Sequence, residues 1–293
     1  MHSTDVDEAD DLPVWSFEPS EAVAPGLLAI ERLGVGTRCE TWLAWWVDLW
    51  HPVVVKLARP HQREHPRAVR SLRREADALA RLGHPGAPRL LRDAAGATLP
   101  HVVLEYLDGP SLADLVDESG PLAVADVAVL GCQVLSVLLS LHSRGLAHVD
   151  VKPENVLVRD GRPFLVDFGS ARTLGSLQPA GSPLGTPGYA APEMEACEPI
   201  SARMDVFGLG TVLAEALTGT PYPDGDPLPD TSLTPLAQRL LADDAGARPS
   251  AADALLALAD HTGAERPWPA WVDHRLAATS ARAVARPHLN QRG

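Results

Sequence analysis

The sequence is poor in lysine. Of its 25 basic residues only two, Lys56 and Lys152, are lysines, and the others are arginines. A chain of this kind uses arginine wherever a positive charge suffices, so a retained lysine indicates a position that requires a compact ammonium. Chance survival of two surface lysines explains the composition equally well. Only the sequence motifs around each lysine can distinguish these two interpretations.

Other absences narrow the class of protein. The net charge of −13 at pH 7 provides no basic stripe, which argues against a nucleic-acid-binding protein. The three cysteines are widely spaced and form no metal-ligand pattern, which predicts reduced thiols in a cytoplasmic protein. No run approaches the ~18 apolar residues of a membrane span, and the acidic N-terminus does not resemble a signal peptide.

Composition and patterning divide the chain into three parts. Residues 1–25 carry seven acidic residues and no Lys or Arg, which predicts a disordered acidic tail. Residues 26–262 show regular hydrophobic patterns and are expected to form one domain, with an N-lobe at 26–107 and a C-lobe at 108–262. Residues 263–293 are interpreted as a C-terminal tail of uncertain order.

The two predicted lobes differ in their secondary structure. Alternating patterns predict strands in the first lobe at 28–33, 40–47, 53–57 and 101–106. Helical spacing predicts helices at 66–82, 124–144, 203–218, 233–242 and 250–261. A hairpin at 156–166 and a loop rich in Gly, Ser, Pro and Thr at 170–190 complete the pattern. This order predicts an α+β protein with a cleft between its two lobes.

Three short motifs carry the chemistry. Residues 33–40 read LGVGTRCE between two predicted strands, and such glycines let backbone N–H groups approach phosphate oxygens. Alone, this segment is equally well explained as a hairpin turn. Residues 148–155 read HVDVKPEN, in which the four fixed positions His, Asp, Lys and Asn make the motif much more specific. Residues 167–169 follow the hairpin and read DFG.

In this order the motifs resemble the protein kinase family, specifically the bacterial Ser/Thr kinases of the eukaryotic-like type. The resemblance continues with GTPGY at 185–189, APE at 191–193, Asp205 at the start of an apolar helix, and RP at 248–249. It covers about residues 26–262. It implies a bilobal protein kinase-like fold, with a strand-rich N-lobe, a helical C-lobe and the ATP cleft between them.

The resemblance implies roles in the transfer of a γ-phosphoryl group from Mg-ATP to a protein hydroxyl. Asp150 would orient the hydroxyl and accept its proton. Lys152 would reach the γ-phosphate, in the Ser/Thr rather than the Tyr pattern. Asn155 and Asp167 would hold Mg²⁺ through hard oxygen ligands. Taken singly, Asp150 is equally a solvated loop acid and Asp167 a turn cap, but the shared order of all the motifs argues against coincidence.

The nucleotide contacts are also implied by the resemblance. Lys56 would contact the α and β phosphates, and Glu75 lies at the spacing of its carboxylate partner. Without that role, Glu75 would be half of an exposed ion pair with a neighbouring Arg. Leu104 would be the gatekeeper beside the adenine. The other expected ATP contacts are Gly34 and Gly36 over the phosphates, the Glu105 carbonyl and the Leu107 amide at the hinge, and Thr41, Val54 and Leu157 around the ring.

The chain departs from the family pattern in four places. Cys39 replaces the third loop glycine and Val54 the usual Ala, and either change would weaken ATP binding without abolishing it. Val149 replaces the Arg that normally meets a phosphate on the activation loop, which predicts activity independent of such a phosphate. Only 15 residues separate Gly219 from Pro235. The family usually has a substrate-docking helix there, so its loss would move docking to the C-terminal tail or a partner protein.

The leading interpretation is a cytoplasmic Ser/Thr kinase acting on an unidentified protein. The alternative is a pseudokinase-like, nucleotide-binding signalling scaffold, favoured by Cys39, Val54 and the shortened late region. The intact Asp150 and Lys152 oppose it, because a scaffold has no chemical reason to keep both. A small-molecule kinase on a related fold is a third interpretation. The APE segment opposes it, since that segment shapes a platform for a peptide in the family.

Overall fold

A six-stranded antiparallel sheet forms the first lobe, in the order β1-β2-β3-β4-β6-β5. The computed structural model describes residues 12–179, 181 and 183–263. The strands are β1 (Ala22–Ala24), β2 (Leu27–Val35), β3 (Cys39–Trp46), β4 (His51–Ala58), β5 (Leu90–Ala94) and β6 (His101–Glu105). In β4, Val53 and Val55 are buried on one face of the sheet, whereas Val54 and Lys56 are half-buried on the other. This alternation directs Lys56 to the face opposite the valine core.

One helix, α1 (Pro66–Leu82), packs against this sheet. Its first residue is proline, the His65 side chain accepts from the Arg67 N–H, and Gly83 ends the helix in the left-handed conformation. These are the ordinary signals of helix ends. The buried stripe is apolar except for Glu75, which is 2% exposed. A buried carboxylate on an apolar stripe requires a partner.

The N-terminal segment is part of the folded lobe. The sequence predicts a disordered tail over 1–25, and this prediction is wrong for residues 12–25, because aromatic side chains anchor them to the sheet. Trp15 stacks on Phe17 at 5.3 Å, and Phe17 meets Trp42 edge-on at 5.2 Å. The following β1 pairs with β2. Residues 1–11 of the predicted tail lie outside the described residues.

The second lobe is mainly helical. Its helices are α2 (Leu112–Ser119), α3 (Val124–His142), α4 (Pro192–Glu195), α5 (Ala202–Thr218), α6 (Thr234–Leu240) and α7 (Ala251–Ala259). Its strands are β7 (Leu146–Ala147), β8 (Val156–Arg159), β9 (Arg162–Leu165) and β10 (Arg172–Thr173). Strands β8 and β9 form the predicted hairpin, and β7 pairs with β10. The predicted C-terminal tail at 263–293 lies outside the described residues from 264 onward.

Helices α3 and α5 form the centre of this lobe. By length and composition α3 is able to cross a membrane, with a mean hydropathy of 2.1, which qualifies the expectation that no run is long enough. Half of that stretch is buried inside the protein, and α3 packs against α5 and α7, as the core helix of a globular domain does. In α5 every residue from Met204 to Leu217 is buried, as is typical of a helix enclosed by its own domain.

The predicted shortening late in the C-lobe is present. Within the described residues no helix lies between the end of α5 at Thr218 and the start of α6 at Thr234. The intervening segment contains several Pro, Asp and Gly residues, which do not support a helix.

A buried ion pair ties two distant parts of the C-lobe together. The Arg248 guanidinium donates to both carboxylate oxygens of Glu193, at 2.7 and 2.8 Å. It also donates to the Ala242 carbonyl at 2.8 Å and lies over the Phe207 ring. The APE and RP motifs of the sequence therefore meet through this pair.

We expect Arg248→Met to lower the free energy of unfolding by roughly 3 kcal/mol, because it leaves the Glu193 carboxylate buried without its cation. Arg239→Met is the matched control on an exposed helix position and should change stability by less than about 0.5 kcal/mol. Urea unfolding of both variants measures the difference. Equal stabilities would show that the pair contributes nothing.

Candidate active site

A cleft of about 650 Å³ lies between the glycine turn of the N-lobe and the first loops of the C-lobe. This volume is typical of small-molecule sites. Its walls include all the residues that were expected to hold Mg²⁺ or to contact ATP, except Lys152 at the γ-phosphate. These are Gly34, Gly36, Thr41, Val54, Lys56, Glu75, Leu104, Glu105, Leu107, Asn155, Leu157 and Asp167. The predicted catalytic residues Asp150 and Lys152 do not line the cleft itself.

The Lys56 ammonium joins two carboxylates from different parts of the chain. Its Nζ lies 2.8 Å from Glu75 Oε1 and 3.0 Å from Asp167 Oδ1. Burial by itself lowers the pKa of Lys56, but the charges of Asp167 and Glu75 outweigh burial and raise the pKa. Lys56 is therefore a cation at any physiological pH. The pairing with Glu75 expected from the helix spacing is formed.

The two carboxylates differ in their environments. Burial raises the pKa of Glu75, and the charge of Lys56 opposes that rise. For Asp167 the charge of Lys56 dominates and lowers the pKa to about 2. The Asp167 side chain is 48% exposed, whereas that of Glu75 is 2% exposed. Asp167 is thus ionised at neutral pH and accessible from the cleft.

Asn155 and Asp167 fit an ion that arrives with a nucleotide. Asn155 Nδ2 donates to the Asp150 carbonyl at 2.8 Å and to Asp150 Oδ2 at 3.2 Å, which leaves the Asn155 side-chain oxygen for a metal. Mg²⁺ is commonly held by one or two carboxylates together with phosphate oxygens. Among the described residues no group of three or more His, Cys, Asp or Glu forms an all-protein metal site. The donor set therefore suits Mg²⁺ bound with phosphates.

Asp150 is held from several sides. Its Oδ1 accepts from Thr186 Oγ1 at 2.7 Å, and its Oδ2 accepts from Asn155. Its backbone N–H donates to His148 Nδ1 at 3.3 Å, and His148 Nε2 lies 3.0 Å from the Val166 carbonyl. Because a carbonyl only accepts, the His148 proton is assigned to Nε2. The carboxylate is positioned before any substrate arrives.

The backbone N–H groups just before Asp150 are fixed by Asp205, whose role was not recognised from the sequence. The fully buried carboxylate accepts the N–H of His148 at 2.8 Å and of Val149 at 2.7 Å. His142 Nε2 lies 2.8 Å away. Burial favours a higher pKa for Asp205, but the hydrogen bonds from the His142 side chain and the His148 backbone N–H help to outweigh it and lower the pKa. The available signal was an acid near the start of a mostly apolar helix.

Comparison with known proteins settles the family. The protein kinase domain model matches residues 28–232. The chain belongs to the protein kinase family. It is 36% identical over 208 residues to serine/threonine-protein kinase PknB of Mycolicibacterium smegmatis, which covers 67% of this chain and 33% of the relative. It is 32% identical over 277 residues to probable serine/threonine-protein kinase PkwA of Thermomonospora curvata, covering 86% of this chain and 37% of the relative.

Family membership confirms two expectations from the sequence. The resemblance to bacterial Ser/Thr kinases of the eukaryotic-like type is confirmed, and with it the bilobal kinase fold of a phosphotransferase family. The chain spans about a third of the length of the curated relatives it matches. The roles of the individual site residues stay predictions.

The glycine turn stays closed although Cys39 stands where the kinase family usually has its third glycine. The Gly36 N–H donates to the Cys39 carbonyl at 2.8 Å. Burial raises the pKa of the Cys39 thiol to about 12, with the charge of Glu75 adding to the rise. The thiol is therefore protonated at neutral pH and is a poor nucleophile. Cys39 adds bulk near the expected phosphates but no reactive thiolate.

The kinase DFG turn depends on a contact with α1 that has no local sequence signal. Ser71 Oγ donates to the Gly169 carbonyl at 3.2 Å. A Cβ at Gly169 would lie 2.9 Å from Ser71 Oγ, so glycine allows the helix to approach. Asp167 itself has a left-handed backbone with φ of 63°. The contact holds Asp167 beside Lys56.

Lys56→Met is expected to lower the free energy of unfolding by about 3 kcal/mol at pH 7.5, because Glu75 then stays buried without a cation. Burial raises the Glu75 pKa above its unfolded value. The folded variant therefore binds an extra proton as the pH falls, and its deficit relative to wild type should shrink toward pH 5. Urea unfolding at both pH values measures this.

Lys152→Met is the matched control, since Lys152 makes no ion pair within the described residues. Equal, pH-independent losses in the two variants would contradict the proposed role of the Lys56–Glu75 pair.

Proposed function

We propose that this chain transfers the γ-phosphoryl group of Mg-ATP to a Ser or Thr hydroxyl of a protein. One observation carries the proposal. Asn155, an expected metal ligand in the cleft wall, donates to both the backbone and the carboxylate of Asp150. An expected metal ligand and the expected proton acceptor are therefore joined by direct hydrogen bonds.

The residues divide the reaction between them. Asp150 orients the hydroxyl and takes its proton while the hydroxyl oxygen bonds to the γ-phosphorus. The bond between the γ-phosphorus and the β-phosphate oxygen breaks, which releases ADP. Lys152 offers its ammonium to the transferring phosphate. Asn155 and Asp167 would hold Mg²⁺, which would supply charge neutralisation on the phosphates. Positioning and charge compensation thus account for most of the expected catalysis.

The nucleotide would lie along the cleft wall. Lys56, which lines the same cleft as the glycine turn, would contact the α and β phosphates. Leu104 is 3% exposed, pairs with Val54 across β4 and β6, and closes the back of the adenine site. The hinge groups of Glu105 and Leu107 follow at the edge of β6, where both residues line the cleft.

We propose further that activity does not require a phosphate on the activation loop, residues 170–190. Val149 is 2% exposed and packs in an apolar cluster with Met194 and Phe207, so no cation stands before Asp150 to receive a phosphate. Neutral hydrogen bonds support the loop instead. The Gln178 side chain donates to the Glu198 carbonyl at 2.8 Å and accepts the Leu184 N–H at 3.2 Å.

Substrate capture and location complete the proposal. Since no helix occupies 219–233, we expect the protein substrate to dock on another surface or through a partner protein. The tail over 264–293, the other candidate docking segment, lies outside the described residues. The proposed compartment is the cytoplasm, supported by the three cysteines, all of which are free.

Purified protein with Mg²⁺ and labelled ATP is expected to label itself or casein as a general acceptor. Asp150→Asn and Lys56→Met should each lower the rate by at least about 100-fold, because proton acceptance or phosphate anchoring is lost. Asp160→Asn makes the same change at an exposed hairpin residue and should keep the wild-type rate. ATP binding without label in every sample would support the pseudokinase-like scaffold instead.

Alanine and aspartate variants of Thr173, Ser176 and Ser182 are expected to stay within about twofold of the wild-type rate, because the loop is held without a phosphate. Ser182 lies outside the described residues. The same labelled-ATP assay measures the rates. A variant that switches activity on or off would refute independence from loop phosphorylation.

A further inference from the structure

Arg59 is a buried cation without a carboxylate partner among the described residues. It follows β4, is 2% exposed, and all three of its guanidinium nitrogens donate to backbone carbonyls. Two of these carbonyls belong to Leu12, at 2.7 Å, and Pro13, at 3.3 Å. The third belongs to Gly36, at 3.3 Å. Because burying a charge is costly, the three carbonyls are required partners of Arg59.

Glu40 is the matching buried anion in the same region. It is fully buried, and no cation contacts it within the described part of the chain. Its Oε1 accepts the Trp15 N–H at 2.9 Å, and its Oε2 accepts Trp42 Nε1 at 3.1 Å. The segment from Leu12 to Trp15 thus directs carbonyls toward the buried cation and an N–H toward the buried anion. These hydrogen bonds to Arg59 and Glu40 form together in only one orientation of the segment.

Aromatic packing fixes the same segment to the outer face of the sheet. Residues 12–17, the N-terminal strap, carry Trp15 and Phe17, which pack on an apolar cluster that includes Trp42. Trp15 Nε1 also donates to the Ala58 carbonyl at 2.9 Å. That carbonyl immediately precedes Arg59. The strap and the end of β4 therefore form one hydrogen-bonded unit.

This unit holds the glycine turn from behind. The Arg59 guanidinium binds the Gly36 carbonyl, and the Arg59 N–H donates to the Arg38 carbonyl at 3.0 Å. Both sides of the turn at 36–38 are thereby attached to a single buried residue. We propose that the N-terminal strap is an intramolecular brace that presets the glycine turn for ATP phosphates, and that Arg59 is its positioning residue. The inference rests on the proposed function, because it assigns ATP to this turn.

Loss of the brace is expected to affect nucleotide affinity rather than the chemical step. A turn that is no longer preset has to be ordered when ATP binds, which weakens binding. In Arg59→Gln and Trp15→Ala the dissociation constant for Mg-ATP should rise about five- to tenfold, measured by isothermal titration calorimetry. Hydrogen exchange of the amides at 33–40 should quicken without nucleotide, whereas exchange at 104–107 should not change.

Arg63→Gln is the matched control, because Arg63 is exposed just beyond the turn that follows Arg59. It should keep the wild-type affinity and exchange. If Arg59→Gln fails to fold, Trp15→Phe takes its place, since it keeps an aromatic ring and removes only the bond to Ala58. It should raise the dissociation constant about twofold.

Folded variants with wild-type ATP affinity and unchanged exchange at 33–40 would overturn the brace. A loss of thermal stability with unchanged affinity and unchanged exchange at 33–40 would also overturn it, because it would indicate a merely structural role. If wild-type protein does not bind ATP, the proposed function fails. The exchange measurement without nucleotide still tests the brace in that case.

Discussion

The arrangement of both lobes depends on the two ion pairs that the Lys56 ammonium forms. The ammonium connects β4, the helix α1 and the turn that begins at Asp167, which lies 111 positions further along the chain. Without it Glu75 would be a buried carboxylate with no compensating charge, a costly state in a protein interior. The two carboxylates in turn keep Lys56 charged. One buried cation therefore sets both the position of the helix and the charge of the cleft.

A buried charge also holds the loop below the cleft, and here the charge is the carboxylate of Asp205. Asp205 is enclosed by its own lobe and accepts two consecutive backbone N–H groups of that loop. One of them belongs to Val149, whose φ of 59° is unfavourable for a β-branched residue. The hydrogen bonds compensate for that conformation. The two residues directly before Asp150 are consequently anchored to a core helix.

Much of the fold and of the candidate site was predictable from local patterns. Alternation in β4 and helical spacing in α1 identified those elements because one face of each is buried. The segment β5 escaped prediction, since its residues are mostly half-buried and the strand contains an irregular register. Residues 12–25 escaped for another reason. The acidic composition of 1–25 as a whole comes mainly from the residues before Leu12, and it masked two aromatic side chains whose partners lie on distant strands.

The sequence by itself determined the family, the order of the elements and the residue types around the cleft. Phosphoryl transfer restricts which side chains can serve, and those side chains stand in short motifs of constant spacing. Only the tertiary structure decided which groups meet. The contacts of Thr186 with Asp150, of Ser71 with Gly169 and of Arg59 with Gly36 join segments that share no local pattern. Such contacts form because side chains pack and because leaving buried polar groups unpaired costs free energy. Both depend on residues that are far apart in the sequence, so no single segment predicts them.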